Sequence, residues 1–419
     1  MELITLDNSL RIFFDEIPSV RSATVGVWIA SGSRYENERI NGISHFIEHI
    51  VFKGSKKRTG FQIAEGMDEI GAHVNAYTTK EYTFFYTKAL DYQLVKATDI
   101  LFDMIKDPVL DEKDIETEKG VVIEEIAMCE DDPQDVCIEL NERRILGKTT
   151  MAMDILGTRD SVSGLKKQDI ERYMKEFYVP ERMIIGVGGK FDKTEILEKI
   201  KEYFGSLKNT DNPLKGYEVP FEEVFTLKKT ETEQTHISLS FKGIPIEHEK
   251  LYELQVCMFI LGTGSSSMLN QRIREQLGLV YSIDSWLGRY LGGGYICVNM
   301  SLSPQSEEKA IRETVEIIKN FNSNVNERQV EIAKEKLISS LIMSREQPQS
   351  RLSALGHSLL FSNRFIEDDE IIERIKAVTL QGVKDAAEKY LDVAHLSFTA
   401  VGRVKTEDEY RRIIENKVK

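Results

Sequence analysis

The chain has 419 residues, 41% of them hydrophobic, enough to bury substantial cores and to form two or more domains. Its formal net charge of −14 argues against nucleic acid as a partner and favours a basic or cationic ligand. No apolar run reaches the ~18 residues a membrane span needs, and Met1 to Asp7 show no basic-then-apolar leader, so a cytoplasmic protein is expected. The four cysteines, Cys129, Cys137, Cys257 and Cys297, form no Cys-x-x-Cys pair and read as free thiols of a reducing compartment.

Two β-rich runs open the chain, Leu10 to Phe14 and Ala23 to Ala30, separated by a turn containing proline. Asn41 stands where a helix N-cap belongs, ahead of the stretch Gly42-Ile43-Ser44-His45-Phe46-Ile47-Glu48-His49-Ile50. As a helix, this stretch projects His45 and His49 from one face, one turn apart, with Glu48 beside them. Ile43, Phe46, Ile47 and Ile50 fall largely on the opposite, buried side. Two neutral imidazoles at this spacing make half of a tetrahedral zinc site, and a carboxylate that does not ligate can take a proton from an acidified water. The order His-x-x-Glu-His is the inverted zincin pattern.

A second helical pattern runs from about Gly60 to Ile70, and His73 to Thr78 with Tyr82 to Thr87 read as a strand pair. Two helical patterns then flank Asp107-Pro108. The second of them carries Glu116, Glu118, Glu124 and Glu125. Glu118 and Glu125 are seven residues apart, close to two full turns, and share a face with Val122 while Glu124 is swung away. One of this pair could ligate zinc while the other hydrogen-bonds a ligating histidine.

A helix-then-strand unit, Leu165 to Met174 and Met183 to Gly189, closes the first half, and Val378 to Tyr390 with Leu396 to Gly402 repeats it. Asp169 matches Asp385, and Val187-Gly188 matches Val401-Gly402. The middle of the second half repeats the same order, with His236 to Phe241 where Val25 to Ala30 stood. The fold class is therefore α+β: two tandem homologous domains, each a mostly antiparallel sheet packed with helices. The expected boundaries are 1–207 for the metal-bearing domain, 208–222 for a linker and 223–419 for its metal-free homologue. Where the first half has its histidines the second has Val256-Cys257-Met258-Phe259-Ile260-Leu261.

On these segments the chain resembles the zinc peptidase family of pitrilysin, insulin-degrading enzyme and mitochondrial processing peptidase. It is most similar to the bacterial homologues of the processing-peptidase branch. The segments that carry the resemblance are His45 to His49 with Phe52-Lys53-Gly54, Val74-Asn75-Ala76-Tyr77-Thr78, and Glu118 through Ile126. The resemblance implies a zinc-dependent endopeptidase in which His45, His49 and Glu125 hold the metal, Glu118 supports the site, and Glu48 is the base. It implies that Asn75 and Ala76 bind extended substrate along a strand edge. In the second half, Ile273-Arg274-Glu275-Gln276-Leu277-Gly278-Leu279-Val280-Tyr281 resembles the family's Arg-x-x-x-Gly-Leu-x-Tyr stretch. There Arg274 would hold substrate backbone and Tyr281 would stabilise the oxyanion. Met268 departs from the family, which often has a polar residue at its place.

Asp135 and Glu139 fall where processing peptidases present carboxylates to an arginine of the substrate, which would favour basic peptides. Family members enclose substrate between four such halves, so a chain with two implies a dimer, most simply a homodimer in which Arg274 and Tyr281 complete the partner's site. The alternative is a catalytically inactive scaffold or substrate-binding subunit of a processing-peptidase-like complex. Such subunits usually lose a ligand or the catalytic glutamate, and this chain keeps both sets. His73, on a strand beside the site, reads as a structural histidine and not a further ligand, and His236, His248, His357 and His395 lie in no ligand spacing and read as structural or exposed.

Overall fold

The computed structural model describes residues 1–214 and 216–415. It contains a six-stranded and a five-stranded sheet, each belonging to one of two compact units. The first sheet is built from β1 (Glu2–Thr5), β2 (Arg11–Glu16), β3 (Ser22–Ile29), β4 (His73–Thr78), β5 (Thr83–Leu90) and β6 (Met183–Gly189), in the order β1-β2-β6-β3-β5-β4. The second is built from β7 (Phe225–Lys229), β8 (Thr235–Lys242), β9 (Ser282–Tyr290), β10 (Gly293–Leu302) and β11 (Ser397–Gly402), in the order β7-β11-β8-β10-β9.

The two orders are the same once β1 is set aside. In each sheet one pair is parallel, β2 with β6 and β7 with β11, and the other pairs are antiparallel. This common order, with the mostly antiparallel pairing, is the duplication expected from the sequence. In the first sheet the alternation of β3 sends Val25, Val27 and Ile29 to one face, where they join Phe46, Ile47, Ile50, Leu101 and Phe102 in a continuous apolar core. The second unit has its own core around Leu239, Val256, Leu261, Val298 and Phe398.

The units are not contiguous in sequence. The first comprises 1–127, 153–215 and 343–366; the second comprises 128–152, 216–342 and 367–419. Each sheet is sealed on its other face by a helix from the opposite half of the chain, an exchange that the contiguous boundaries at 207 and 223 leave out. The helix Pro348–Ser362 lies on β3 and β6, and the helix Pro133–Ile145 lies on β8 and β11. On the first sheet, Gly356 allows the closest approach: a Cβ there would sit 2.3 Å from Cζ2 of the fully buried Trp28. On the second, Asn141 donates through Nδ2 to Ser240 Oγ at 2.9 Å and accepts through Oδ1 from Thr399 Oγ1 at 3.2 Å.

Candidate metal centre

The helix Ile43–Ile50 follows β3 in the first unit, with Ile43, Phe46, Ile47 and Ile50 fully buried beneath it. Its start differs from the sequence expectation. Gly42, not Asn41, is the N-cap; it adopts φ 90°, and a Cβ there would lie 2.4 Å from Leu156 O. The capping acceptor comes from outside the helix. The buried Glu36 carboxylate accepts from the Gly42 N–H through Oε2 at 2.7 Å and from the Ser44 N–H through Oε1 at 2.9 Å. Asn41 instead steadies that cap, donating through Nδ2 to Glu36 Oε2 at 2.9 Å and to Asp154 O at 2.8 Å. A carboxylate suits the positive end of a helix, although burial pushes the Glu36 carboxyl above its ordinary value against the pull of these hydrogen bonds.

His45 and His49 stand one turn apart with ring centroids separated by 4.6 Å. The helix Glu112–Asp131 brings Glu125 to them: Oε2 lies 3.7 Å from His45 Nε2 and 3.6 Å from His49 Nε2. One donor atom from each of the three residues lies within 4.8 Å of the others. Tetrahedral zinc at ~2.0–2.2 Å from such donors requires separations of about 3.3 Å. The His–Glu distances exceed this by a few tenths of an ångström, and the widest donor pair, up to 4.8 Å apart, closes by more when the three converge on one ion. The outer partners fit as well. His49 Nδ1 is 2.8 Å from Glu118 Oε1, which leaves Nε2 for the metal, and Lys53 Nζ lies 2.5 Å from the other Glu118 oxygen. Glu118 is buried at 3% exposure, whereas Glu124 on the same helix is exposed.

Electrostatics match a cation. Burial, followed by the charge of His49, pushes the His45 imidazole down to about 4, so at neutral pH no proton competes for it. Burial also pulls on His49, but the hydrogen bond and charge of Glu118, with Glu125 and Glu48 nearby, outweigh it and raise that imidazole. The same bond and Lys53 hold the Glu118 carboxyl below its ordinary value despite burial. Burial raises the Glu48 carboxyl, the direction a general base at neutral pH needs, and a hydrogen bond from Thr78 opposes it.

The remaining candidate residues divide between the two units. Asn75 and Ala76 lie on β4, the outermost strand of the first sheet, with Asn75 exposed and Ala76 buried. His73 is exposed on the same strand. Asp135 and Glu139 belong to the second unit, on the helix Pro133–Ile145, where Asp135 is exposed and Glu139 half-buried. Arg274 lies there too, on a π-helical turn, Asn270–Gln276, with its guanidinium 3.7 Å from Glu275 and half exposed. Gly278, at φ 60°, ends that turn, its N–H donating to Arg274 O. Tyr281 is 75% exposed just ahead of β9. Three residues around the metal cluster had no assigned part in the sequence reading: Lys53, Thr78 and Glu36. The first two sit inside the motif segments already singled out. Glu36 gives no sequence signal beyond its acid group, because a cap supplied from six residues upstream has no periodic pattern.

Comparison with known proteins settles the family. Residues 11–159 match the model of Insulinase (Peptidase family M16), and residues 164–337 match that of the Peptidase M16 inactive domain. A Bacillus subtilis protein named uncharacterized zinc protease YmxG is 36% identical over 92% of this chain and 94% of its own. The chain belongs to peptidase family M16. A Mycobacterium leprae protein, also named an uncharacterized zinc protease, is 32% identical over 93% of this chain and 88% of its own. The fold matches the crystal structure of a protease from Helicobacter pylori with a TM-score of 0.88 at 18% identity, over 96% of this chain and 99% of that one. It also matches a chain of complex III2 from Candida albicans with a TM-score of 0.83 at 16% identity, over 99% of both chains. As an M16 member the chain divides as its matches do: the donor cluster falls in the half that matches the peptidase model, and among the described residues none falls in the half that matches the inactive domain. The zinc expected from the sequence rests on this donor set together with the relatives' names. Among the described residues no helix is long and apolar enough to cross a membrane.

Proposed function

We propose that the protein is a zinc-dependent endopeptidase that cleaves peptides or unfolded, presequence-like segments. The observation that carries this reading is the convergence of His45, His49 and Glu125 beside a further carboxylate, Glu48, on the helix that carries the two histidines. When bound there, zinc supplies Lewis acidity, which polarises a carbonyl and acidifies a water. Glu48 accepts the proton of the attacking water and delivers it to the leaving amide nitrogen. Glu118 keeps His49 in the tautomer that offers Nε2. The free edge of β4 receives the peptide as an added strand, paired through backbone groups at Asn75 and Ala76, which makes recognition tolerant of sequence.

The other roles follow from the M16 resemblance. Arg274 and Tyr281 hold the substrate backbone and donate to the oxyanion, a contribution of about 3–4 kcal/mol where such donors have been removed. Asp135 and Glu139 select basic residues. Two chains form the chamber as a cytoplasmic homodimer, each completing the other's site with Arg274 and Tyr281. The chain's retention of the metal set, Glu48, Arg274 and Tyr281 together weighs against an inactive scaffold.

The test uses the zinc-loaded protein and a basic unstructured peptide, with and without chelator. Glu48→Gln should lower kcat by about 10²–10⁴ while zinc remains at its full stoichiometry. Full activity in that variant sinks the role of Glu48, and no cleavage by zinc-loaded wild type sinks the reading as a peptidase. Mixing Glu48→Gln with Tyr281→Phe chains tests sharing: recovered activity supports sites completed between chains.

A further inference from the structure

We propose that Thr78 is a positioning residue that fixes the orientation of Glu48 and ties it to the strand that receives the peptide; this rests on the peptidase reading above. Thr78 is the last residue of β4. Along that strand Val74, Ala76 and Thr78 are buried or half-buried while His73, Asn75 and Tyr77 are exposed, an alternation that turns Thr78 toward the helix Ile43–Ile50. Its hydroxyl donates to Glu48 Oε2 at 2.6 Å.

The direction of that hydrogen bond is fixed by the neighbouring groups. The next closest partner of Thr78 Oγ1 is Thr83 Oγ1, at 3.4 Å across the β4–β5 pair. The Thr83 proton is engaged by Ser31 O at 2.9 Å. The single proton of Thr78 therefore goes to the carboxylate, the shorter contact, with Thr83 left as a weak neighbour. A β-branched residue in a strand holds few χ1 rotamers, so the donor is already aimed before substrate arrives. With Oε2 held, Oε1 is the oxygen presented to the water. The register of β4 thus sets two things at once: where the peptide lies, through the backbone at Asn75 and Ala76, and where the base lies, through the side chain two residues on.

The experiment compares wild type, Thr78→Val, Thr78→Ala and Thr78→Ser as zinc-loaded proteins on one peptide, with zinc content and Tm recorded for each. Thr78→Val removes the donor at nearly constant shape and should lower kcat at least about tenfold with KM within about twofold, the signature of a misaimed group. Thr78→Ala should behave alike, which guards against a packing defect in either variant. Thr78→Ser keeps the donor and should recover kcat to within about fivefold of wild type. Peptide affinity, measured on the Glu48→Gln background with and without Thr78→Val, should be unchanged. Wild-type kcat in Thr78→Val, a Thr78→Ser protein as slow as Thr78→Val, or an effect confined to KM or to peptide affinity would each overturn the proposal. A zinc-loaded wild type that cuts no peptide overturns the peptidase reading and this proposal with it.

Discussion

The helix Ile43–Ile50 and the helix Leu251–Met258 occupy the same step in the same strand order, one after β3 and the other after β8. Both bury an apolar underside: Ile43, Phe46, Ile47 and Ile50 in the first, Leu254, Cys257 and Met258 in the second, which runs on into a π-helical turn containing the buried Leu261. They differ on the other face. The first carries His45, Glu48 and His49 and needs Glu36 to cap it; the second adds Val256 to the core and carries no such set. The fold therefore asks only for a buried helix at this step. The candidate metal donors are an addition, and they leave a mark: His45 Nδ1 is buried without a hydrogen-bond partner among the described residues.

The sharpest way to break the difference is to give the first helix the chemistry of the second. His45→Leu should abolish zinc retention, a loss well beyond the ~10–100-fold that outer partners command. It should also stabilise the metal-free protein by about 1 kcal/mol, because an unpaired buried nitrogen is removed. Metal analysis and calorimetry on the apoprotein check the two halves of this prediction, and an apoprotein left unchanged or weakened would deny the cost assigned to the site. In the second unit, where the same step serves packing alone, Leu261→Ala should cost about 2–5 kcal/mol in chemical denaturation and leave zinc affinity alone.

Lys53→Met should weaken zinc by about 10–100-fold in a chelator competition, acting through Glu118 on His49, with Lys53→Arg restoring most of it. Equal affinity in wild type and Lys53→Met would reduce Lys53 to a surface cation. The smallest effect concerns the repeated aspartate. Asp169 is paired with Arg39 and Arg172 and accepts from the Lys166 N–H, whereas Asp385 accepts from Gln381. The Arg39 hydrogen bond, with the other partners, holds the Asp169 carboxyl below its ordinary value despite burial. A carboxylate depressed in the folded state stabilises above its unfolded pKa of ~3.9 and loses that contribution as pH falls through the folded value. Asp169→Asn should then cost about 1 kcal/mol at pH ~7 and less at pH ~3, and Asp385→Asn should be near neutral at both. Denaturation curves at the two pH values decide it.

Much of the centre was legible because helical spacing is local. His45 and His49 at four residues, and Glu118 with Glu125 at seven, name their shared faces without any tertiary knowledge. The duplication was legible because strands and helices recur in the same order. The N-cap was misplaced at Asn41 because cap preference scores a side chain beside its own helix, and the acceptor came from Glu36 instead. The aim of Thr78 needed the strand's neighbours as well as its alternation. The exchange of sealing helices had no local signature at all, since Pro133–Ile145 and Pro348–Ser362 are each paired with strands far away in the chain.

That exchange has a consequence for how the molecule is made. Asp15 on β2 waits for Arg351, 336 residues later, and Trp28 waits for Gly356. On the ribosome, the body that carries the candidate metal donors has all of them synthesised by residue 125, yet its sheet stays open on one face until residues 348–362 emerge. Truncation between the halves would thus not liberate a peptidase domain; it would leave each sheet with an exposed aromatic or polar face and the wrong helix attached. Neither sheet is complete until residues from both halves of the chain have been made.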